Sequence, residues 1–395
     1  MKPHATSTHA QRGEDASGRP LRVVLLSKAL VVGAYQRKAE LLAARPELEL
    51  TVVVPPLWKD GGRVQRLERV HTAGYALVET PIFRPGDFHL HFYPRFGEVL
   101  ARIRPDLVHV DEEPYNLATF LALRAARRVG ARSLFFTWQN LDRPTPPPFG
   151  WFERRAYAWV DGAIAGSPAA AARLRARGYR GALWTIPQFG VDPATFHPPE
   201  VAPSPSGSLR VGYAGRLVRA KGVDLLVEAL AGLPGGWRLT IAGEGPERAT
   251  LEAQAAALGV ADRVSFLPWL AAEALADFYR DLDVLVLPSR SMPRWTEQFG
   301  RVLVEAMACG VACVGAASGE IPWVLGDAGR LFPEGDAAAL RDVLAGLAAD
   351  PAARARLAAA GRARAFAHFT MAHVAAETVA AYRELCRRAS GPPAR

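Results

Sequence analysis

The sequence predicts an α/β protein built from two doubly wound, parallel-sheet domains in tandem. Three observations predict it. The 395 residues are too many for one ordinary core and suit two domains. From residue 21 onward, short apolar, β-branched runs alternate with Ala/Leu/Arg stretches of helical spacing. The alternation breaks once, at the Pro- and Ser-rich "FHPPEVAPSPSGS" of residues 196–208, and then restarts.

Residues 1–20 lack the apolar core of a signal peptide and are expected to form a loose tail. A first domain is expected over 21–197. Its runs "LRVVLLSK", "LELTVVVPP", "DLVHVDEE", "ARSLFFTW" and "DGAIAGS" read as strands buried on both faces, and "ATFLALRAARRVG" as a helix closed by a glycine. A linker at 198–208 leads to a second domain over 209–372. There "LRVGYAG", "WRLTIAG", "RVSFLPW" and "DVLVLPS" are strands, and "VDLLVEALAGL", "LEAQAAALG" and "AAEALADFYRDL" are helices. The last helix, within 373–390, follows a domain already complete, and one expectation is that it packs back across the interdomain cleft. Ligands of open α/β sheets bind beyond the carboxyl ends of the strands, so functional residues should follow strands.

With 50% hydrophobic and 22% charged residues, the chain should fold along most of its length. No apolar run approaches the ~18 residues that cross a bilayer. Cys309, Cys313 and Cys386 are odd in number and lack metal spacing, which suits buried thiols in a reducing cytoplasm. The net charge of +9 is uneven: residues 1–205 hold 27 Lys+Arg against 19 Asp+Glu, the remainder 21 against 20. The basic half could face anionic lipid, a phosphorylated acceptor or nucleic acid; the alternative is an Arg-rich surface of a GC-rich genome.

In "GYAGRLVRAKG", residues 212–222, Gly212 and Gly215 allow close backbone approach, while Arg216 and Lys221 put two cations at a strand's carboxyl end. That suits a pyrophosphate, although a glycine turn with two solvated cations would read the same way. "IAGEGPE", residues 241–247, repeats the arrangement with Gly243 and Gly245 around Glu244; a ligand contact and a tight turn both remain open. In "EQFGRVLVEAMACG", residues 297–310, a helix starting near Gly300 would offer the amides of Phe299 and Gly300 as donors. Glu297 on the loop could accept from sugar hydroxyls, and Glu305 in the helix could hold a ribose diol. Otherwise Glu297 is a helix-dipole partner and Glu305 a solvated charge.

"EQFGRVLVEAMACGVACV", followed by "ASGEIPWVLGDAGRLFPEGD", resembles the E-x7-E signature of the retaining family 4 glycosyltransferases, which have the GT-B fold. "GRLVRAKGVDLLVEAL" is similar to the family's donor-phosphate segment, "IPQFGVDPATFHP" to its strand and turn before the linker, and "ERRAYAWVDGAIAGSPAAAARL" to the last helix and strand of its first domain. The likeness runs from about 21 to 388 and is most specific in the second domain. It implies that Arg216 and Lys221 bind and stabilise the leaving diphosphate. Glu305 would hold the ribose, Glu297 the sugar hydroxyls, and the Phe299 and Gly300 amides would help seat the sugar. Leu270 matches a backbone contact to the base, and Gly33 the glycine by which the first domain approaches the donor. The family needs no metal or cofactor; "DLD" at 281–283 leads into a strand and reads as structural.

The first domain departs from the family. Where many relatives carry a histidine facing the sugar, this chain has Gln139 followed by Asn140, and glutamine exchanges no proton near neutral pH. Either that histidine is dispensable or a carboxylate of "HVDEEP" serves, Asp111, Glu112 or Glu113, with Glu113 first. His89 and His91 alternate in "DFHLHFYP" as on a strand, where ordinary strand positions are expected.

The expectation is therefore a retaining, metal-independent glycosyltransferase. It would move sugar from a nucleoside diphosphate to a glycan or lipid-linked acceptor in cell-envelope or exopolysaccharide synthesis, by front-side displacement. It would be cytoplasmic, with at most peripheral contact with an anionic membrane. The rivals are a silent sugar-nucleotide-binding subunit, an epimerase or a phosphorylase of the same architecture. A nucleic-acid binder is weakest, because the positive charge is dispersed among helices.

Overall fold

The computed structural model describes residues 19–60, 63–200 and 207–387. The tail up to residue 18, residues 201–206 of the expected linker and the end of the last helix beyond 387 lie outside the described residues. Contact density divides the chain into two compact units. One comprises residues up to Phe136, 145–163 and Ala375 onward; the other comprises 137–144 and 164–374.

The first sheet is built from β1 Leu21–Leu26, β2 Leu48–Val54, β5 Ala76–Glu79, β6 Leu107–Val110, β7 Arg132–Thr137, β8 Gly162–Ala165 and β9 Ala182–Thr185, in the order β5-β2-β1-β6-β7-β8-β9. A separate antiparallel hairpin joins β3 Leu57–Asp60 to β4 Arg63–Arg66. Helices α1 Arg37–Ala43, α2 Phe96–Ile103, α3 Leu117–Arg128, α4 Phe149–Trp159 and α5 Pro168–Ala176 alternate with these strands. The central strands are apolar because they are covered on both faces: β6 and β8 are buried at every position.

The second sheet has β10 Leu209–Ala214, β11 Trp237–Ala242, β12 Val264–Leu267, β13 Val284–Leu287, β14 Ala312–Ala316 and β15 Arg330–Phe332, in the order β12-β11-β10-β13-β14-β15. Counted within the sheet this is 3-2-1-4-5-6, the doubly wound order whose direction reverses between its first and fourth strands. Its helices are α6 Val223–Ala231, α7 Arg248–Ala257, α8 Ala272–Arg280, α9 Arg301–Ala308, α10 Ile321–Leu325, α11 Ala337–Ala349 and α12 Pro351–His368. Helix α13, Met371–Arg387, contributes its residues from Ala375 onward to the first unit. There the Tyr382 hydroxyl lies 2.7 Å from His109 Nδ1. The doubly wound parallel α/β class expected from the alternation is what the two sheets show.

Several details differ from the expectation. "DFHLHFYP" is not a strand: Asp87 Oδ1 accepts from the amides of His89 at 3.1 Å and Leu90 at 2.9 Å, and this local bonding turns the chain. The strand before the linker is β9, which ends at Thr185, ahead of "IPQFGVD". Strand β14, "ACVGA", is fully buried but made of small residues of weak strand preference, and the edge strands β5 and β9 are only half-buried. None of the three carries a strong apolar run. Asp283 of "DLD" is structural, accepting from the Arg210 amide at 2.8 Å and from its guanidinium. Cys309 and Cys313 are buried and Cys386 is half-buried; burial pushes the Cys309 thiol up to about 12.

Candidate functional site

In the second sheet the order reverses between β10 and β13, so loops leaving these two strands part in opposite directions and open a crevice at their carboxyl ends. The loop after β10 is held to the loop after β11 backbone against backbone. Leu217 N donates to Glu244 O at 2.8 Å, and a Cβ on Gly243, whose φ is +148°, would lie 1.9 Å from Gly215 O. Only glycine permits that approach. Main-chain atoms thereby fill the turn. Arg216 is left exposed, and its guanidinium has no hydrogen bond or ion pair among the described residues. Its carbonyl accepts from the buried Tyr213 hydroxyl at 2.9 Å.

Lys221 reaches the same strand ends by another glycine. Gly222 caps α6 with φ +66°, and its backbone sits so close to β13 that a Cβ would be 2.0 Å from Pro288 O. This seats the Lys221 ammonium 2.6 Å from Glu297 Oε2 and 4.8 Å from the centre of the Trp295 ring. Ser289 Oγ donates to the same Glu297 oxygen at 2.9 Å. Glu297 is only 7% exposed, and a cation and a hydroxyl satisfy its buried carboxylate oxygen. Its main-chain carbonyl accepts from Glu320 N at 3.0 Å and Asn140 Nδ2 at 3.1 Å, which fixes the loop.

Helix α9 begins where expected, with Gly300 as its cap at φ +78°. Among the described residues the amides of Phe299 and Gly300 have no protein acceptor, so the helix start presents two unspent donors. The Phe299 ring is buried near Trp138, Trp323 and Phe369, at centroid distances of 5.6, 6.0 and 5.6 Å. Glu305 is 2% exposed, so it is no solvated charge. Arg301 Nε lies 2.6 Å from its Oε1, and the Tyr279 hydroxyl donates to its Oε2 at 3.0 Å. Burial, then the adjacent Glu305 carboxylate, raises the Tyr279 phenol far above its usual range and keeps it a donor. Leu270 is half-buried after β12, and Glu244 is exposed after β11. After β7, Trp138 Nε1 donates to Gln188 Oε1 at 2.9 Å, and the backbone N–H of the half-buried Gln139 donates to Thr137 Oγ1 at 3.1 Å.

The first unit has its own cluster at its reversal point, between β1 and β6. Ser27 and Lys28 follow β1; Asp111, Glu112 and Glu113 follow β6. Ser27 Oγ donates to Asp111 Oδ2 at 2.6 Å, and Lys28 pairs with Glu112. The Glu112 side chain is fully buried. The Tyr93 hydroxyl donates to its Oε1 at 3.0 Å and His91 Nε2 lies 3.3 Å from the same oxygen. Burial works to raise this carboxyl, but Lys28 and then His91 outweigh it and hold it at about 2. The Lys28 ammonium also sits 5.3 Å from the Trp58 ring centre. Glu113 is half-buried, and its carbonyl accepts from the Thr119 hydroxyl at 2.7 Å in the turn into α3. Gly33 donates its amide to Glu68 Oε2 at 2.6 Å, and a Cβ there would lie 2.3 Å from Val70 Cγ2.

The structure thus gathers Lys221 and Glu297 directly, with Glu305 satisfied on the helix that follows. Sequence reasoning missed Ser289, Tyr279, Arg301 and Lys28, and read His91 as an ordinary strand position. Ser289 and Lys28 each stand two residues past a strand end, the position where such residues were expected, so the placement rule applied to every strand would have found both. His91 and Tyr279 carried no such mark.

Residues 199–364 match the family model described as glycosyl transferases group 1, and residues 32–188 match that of the glycosyl transferase 4-like domain. The chain is similar to the D-inositol 3-phosphate glycosyltransferase of Xylanimonas cellulosilytica, with 41% identity over 44% of this chain and 45% of that protein. It is also similar to the enzyme of the same name from Stackebrandtia nassauensis, with 34% identity over 53% and 51%. The chain spans about half the length of the curated relatives it matches. Its fold is similar to that of sucrose-phosphate synthase from Thermosynechococcus elongatus, with TM-score 0.71 and 23% identity over 93% of this chain and 100% of that one. Anabaena HepE in complex with UDP gives TM-score 0.71 and 19% identity over 92% and 100%. Among the described residues no helix is long and apolar enough to cross a membrane.

Proposed function

Because this chain belongs to the glycosyltransferase group 1 family and has its GT-B fold, we propose that it transfers a sugar from a nucleoside diphosphate to an acceptor hydroxyl with retention of configuration. One observation carries the reading: Lys221, Ser289 and Glu297 meet at the reversal point of the second sheet, beside a helix start with two unspent amides. Arg216 and Lys221 are the cations for the diphosphate, whose negative charge grows as the glycosidic bond breaks. Glu297 and the Phe299 and Gly300 amides are the groups for the sugar hydroxyls, Glu305 is that for the ribose, and the Leu270 and Glu244 turns line the nucleotide. Lys221 must exchange its Glu297 contact for a phosphate oxygen, which couples donor binding to release of the Glu297 carboxylate.

Among the described residues no second carboxylate joins Glu297 in its cluster, which favours front-side displacement: the leaving phosphate oxygen takes the acceptor proton while the new bond forms on the face the leaving group vacates. Glu112, Glu113, Gln139 and Asn140 belong to the acceptor side of this proposal, and Gly33 to the donor side. The acceptor is a glycan or a lipid-linked glycan of envelope or exopolysaccharide synthesis, met by a cytoplasmic protein in peripheral contact with the membrane. A second acceptor class, a phosphorylated polyol, is favoured by the name shared by the relatives at 41% and 34% identity.

Calorimetric titration of nucleoside diphosphates into the full chain tests the donor site. Arg216→Ala and Lys221→Ala should each weaken binding at least about tenfold, the loss of one charge-assisted contact. Binding by both variants equal to that of the wild type would refute the assignment.

A further inference from the structure

The first unit carries a surface that the proposed chemistry does not use. Helices α3 and α4 pack side by side. Arg124, Arg127 and Arg128 on α3, and Arg154 and Arg155 on α4, are all exposed. On their own helices no acid opposes them: α3 contains none, and the only acid of α4, Glu153, is 2% exposed and turned to Tyr157. On the neighbouring α2 a single exposed acid, Glu98, is offset by Arg102. None of the five arginines has an acidic partner among the described residues.

Other Arg-rich helices of the chain behave differently. On α5, Arg173 and Arg175 donate to main-chain carbonyls, and Arg177, just past its end, lies 3.8 Å from Asp142. On α12, Arg364 donates to the Trp323 and Val324 carbonyls and Arg356 pairs with Asp350. Arg362 of α12, over the Phe366 ring, also lacks an acidic partner among the described residues, but the unspent charge is concentrated on α3 and α4, where five such arginines lie on adjacent helices.

The same face presents tryptophan. Trp151 is 42% exposed and Trp159 half-buried. Phe120 packs against both, at 5.0 and 5.2 Å, while the Arg155 and Arg127 guanidiniums lie 5.3 and 5.5 Å from the respective ring centres. Neither indole N–H has an acceptor among the described residues. Beside them, between α2 and α3, a cavity of about 180 Å³ has an apolar lining that includes Phe92, Phe96 and Leu121, with Arg124 and Arg128 in its wall.

Deepening the peripheral membrane contact proposed above, we infer that the α2–α3–α4 face makes it by docking on an anionic lipid bilayer, with the arginines on headgroup phosphates and the two indoles at headgroup depth. Unpaired guanidiniums on apolar stems, and tryptophans with free N–H groups, are what the membrane–water boundary accommodates. Single-stranded nucleic acid fits less well, because stacking needs open ring faces and both indoles are flanked by Phe120 and a guanidinium. The cavity supplies apolar surface next to two cations, the pairing that a lipid headgroup and its first methylenes require.

Vesicle co-sedimentation of the full chain, without any nucleotide or sugar, tests this independently of the transfer reaction. The chain should sediment with phosphatidylglycerol-containing vesicles and not with pure phosphatidylcholine. At about fivefold per cationic side chain near an anionic surface, Arg124→Ala/Arg128→Ala/Arg155→Ala should weaken binding on the order of a hundredfold. A control that removes the same charge elsewhere, Arg238→Ala/Arg356→Ala/Arg362→Ala, should retain it. No preference for anionic vesicles, or an equal loss in both triple variants, overturns the inference. So does binding of an oligonucleotide through the same three arginines without vesicle binding, which would assign the face to nucleic acid.

Discussion

Glu297 and Glu112 are both buried carboxylates matched by a lysine, and they predict different behaviour. Glu297 holds Lys221 through one oxygen, also shared with Ser289. Glu297→Ala frees that ammonium, so nucleoside diphosphate affinity should stay level or rise while turnover falls by about 10² to 10³; steady-state kinetics beside calorimetry separates the two. A parallel loss of nucleotide affinity would contradict the assigned division of roles. Glu112 acts on stability. Its carboxyl is held at about 2, below the ordinary glutamate value near 4.3. The folded chain therefore binds fewer protons than the unfolded one between those values. The contribution, on the order of 3 kcal/mol, is complete above about pH 5 and is lost as pH falls toward 2. Glu112→Gln should be less stable than wild type at neutral pH and should lose less stability over that acid range, as read from chemical denaturation at successive pH values.

At the scale of elements, glycines decide where the charged groups stand. Gly222→Ala places a Cβ 2.0 Å from Pro288 O in a left-handed backbone, whereas Gly235→Ala, at φ +89°, meets nothing within 4 Å. The second substitution should cost only about 1 kcal/mol of backbone strain. The first should cost more, on the order of 3 kcal/mol, and should weaken nucleotide binding because it displaces Lys221 from β13. Equal effects on stability and no effect on binding would show that the loop holds Lys221 by other means. Helix α13 offers a second check. The Tyr382 hydroxyl and His109 ring are buried together, and burial, then Lys38, keeps the imidazole uncharged by pushing its pKa well below 6.5. Tyr382→Phe leaves a buried ring nitrogen unmatched and should cost about 1 to 3 kcal/mol in chemical denaturation. Much of this scale was readable beforehand. Strands covered on both faces, such as "LRVVLL" and "VLVL", declare themselves by unbroken apolar runs, and Gly300 marks the start of α9. The hairpin β3–β4 and the small-residue strand β14 did not, because pairing and burial, rather than composition, make them strands.

For the whole molecule, the repeated α/β alternation made the class legible, since each sheet needs helices on both faces and each connection supplies one. The sites were legible only in part. Glu305 stood out because its charge interrupted an apolar helix, Glu297 because it stood on the loop just before that helix, and Arg216 and Lys221 because glycines bracketed them. Partners brought in from far along the chain left no local trace: Lys28 and Glu112 are 84 residues apart, His109 and Tyr382 are 273 apart. Both site clusters nonetheless sit where strand order reverses, at β10/β13 and β1/β6, which is a property of topology rather than of any motif. The central claim, retaining transfer from a nucleoside diphosphate sugar, is tested most directly by incubating the full chain with UDP-, GDP-, ADP- and dTDP-sugars. Nucleotide release and the anomeric proton coupling of the sugar product are then followed by NMR. The account predicts that one of these donors releases its nucleoside diphosphate and that the product first forms with the donor's anomeric configuration. An inverted product, or no binding and no release with any donor, would contradict it.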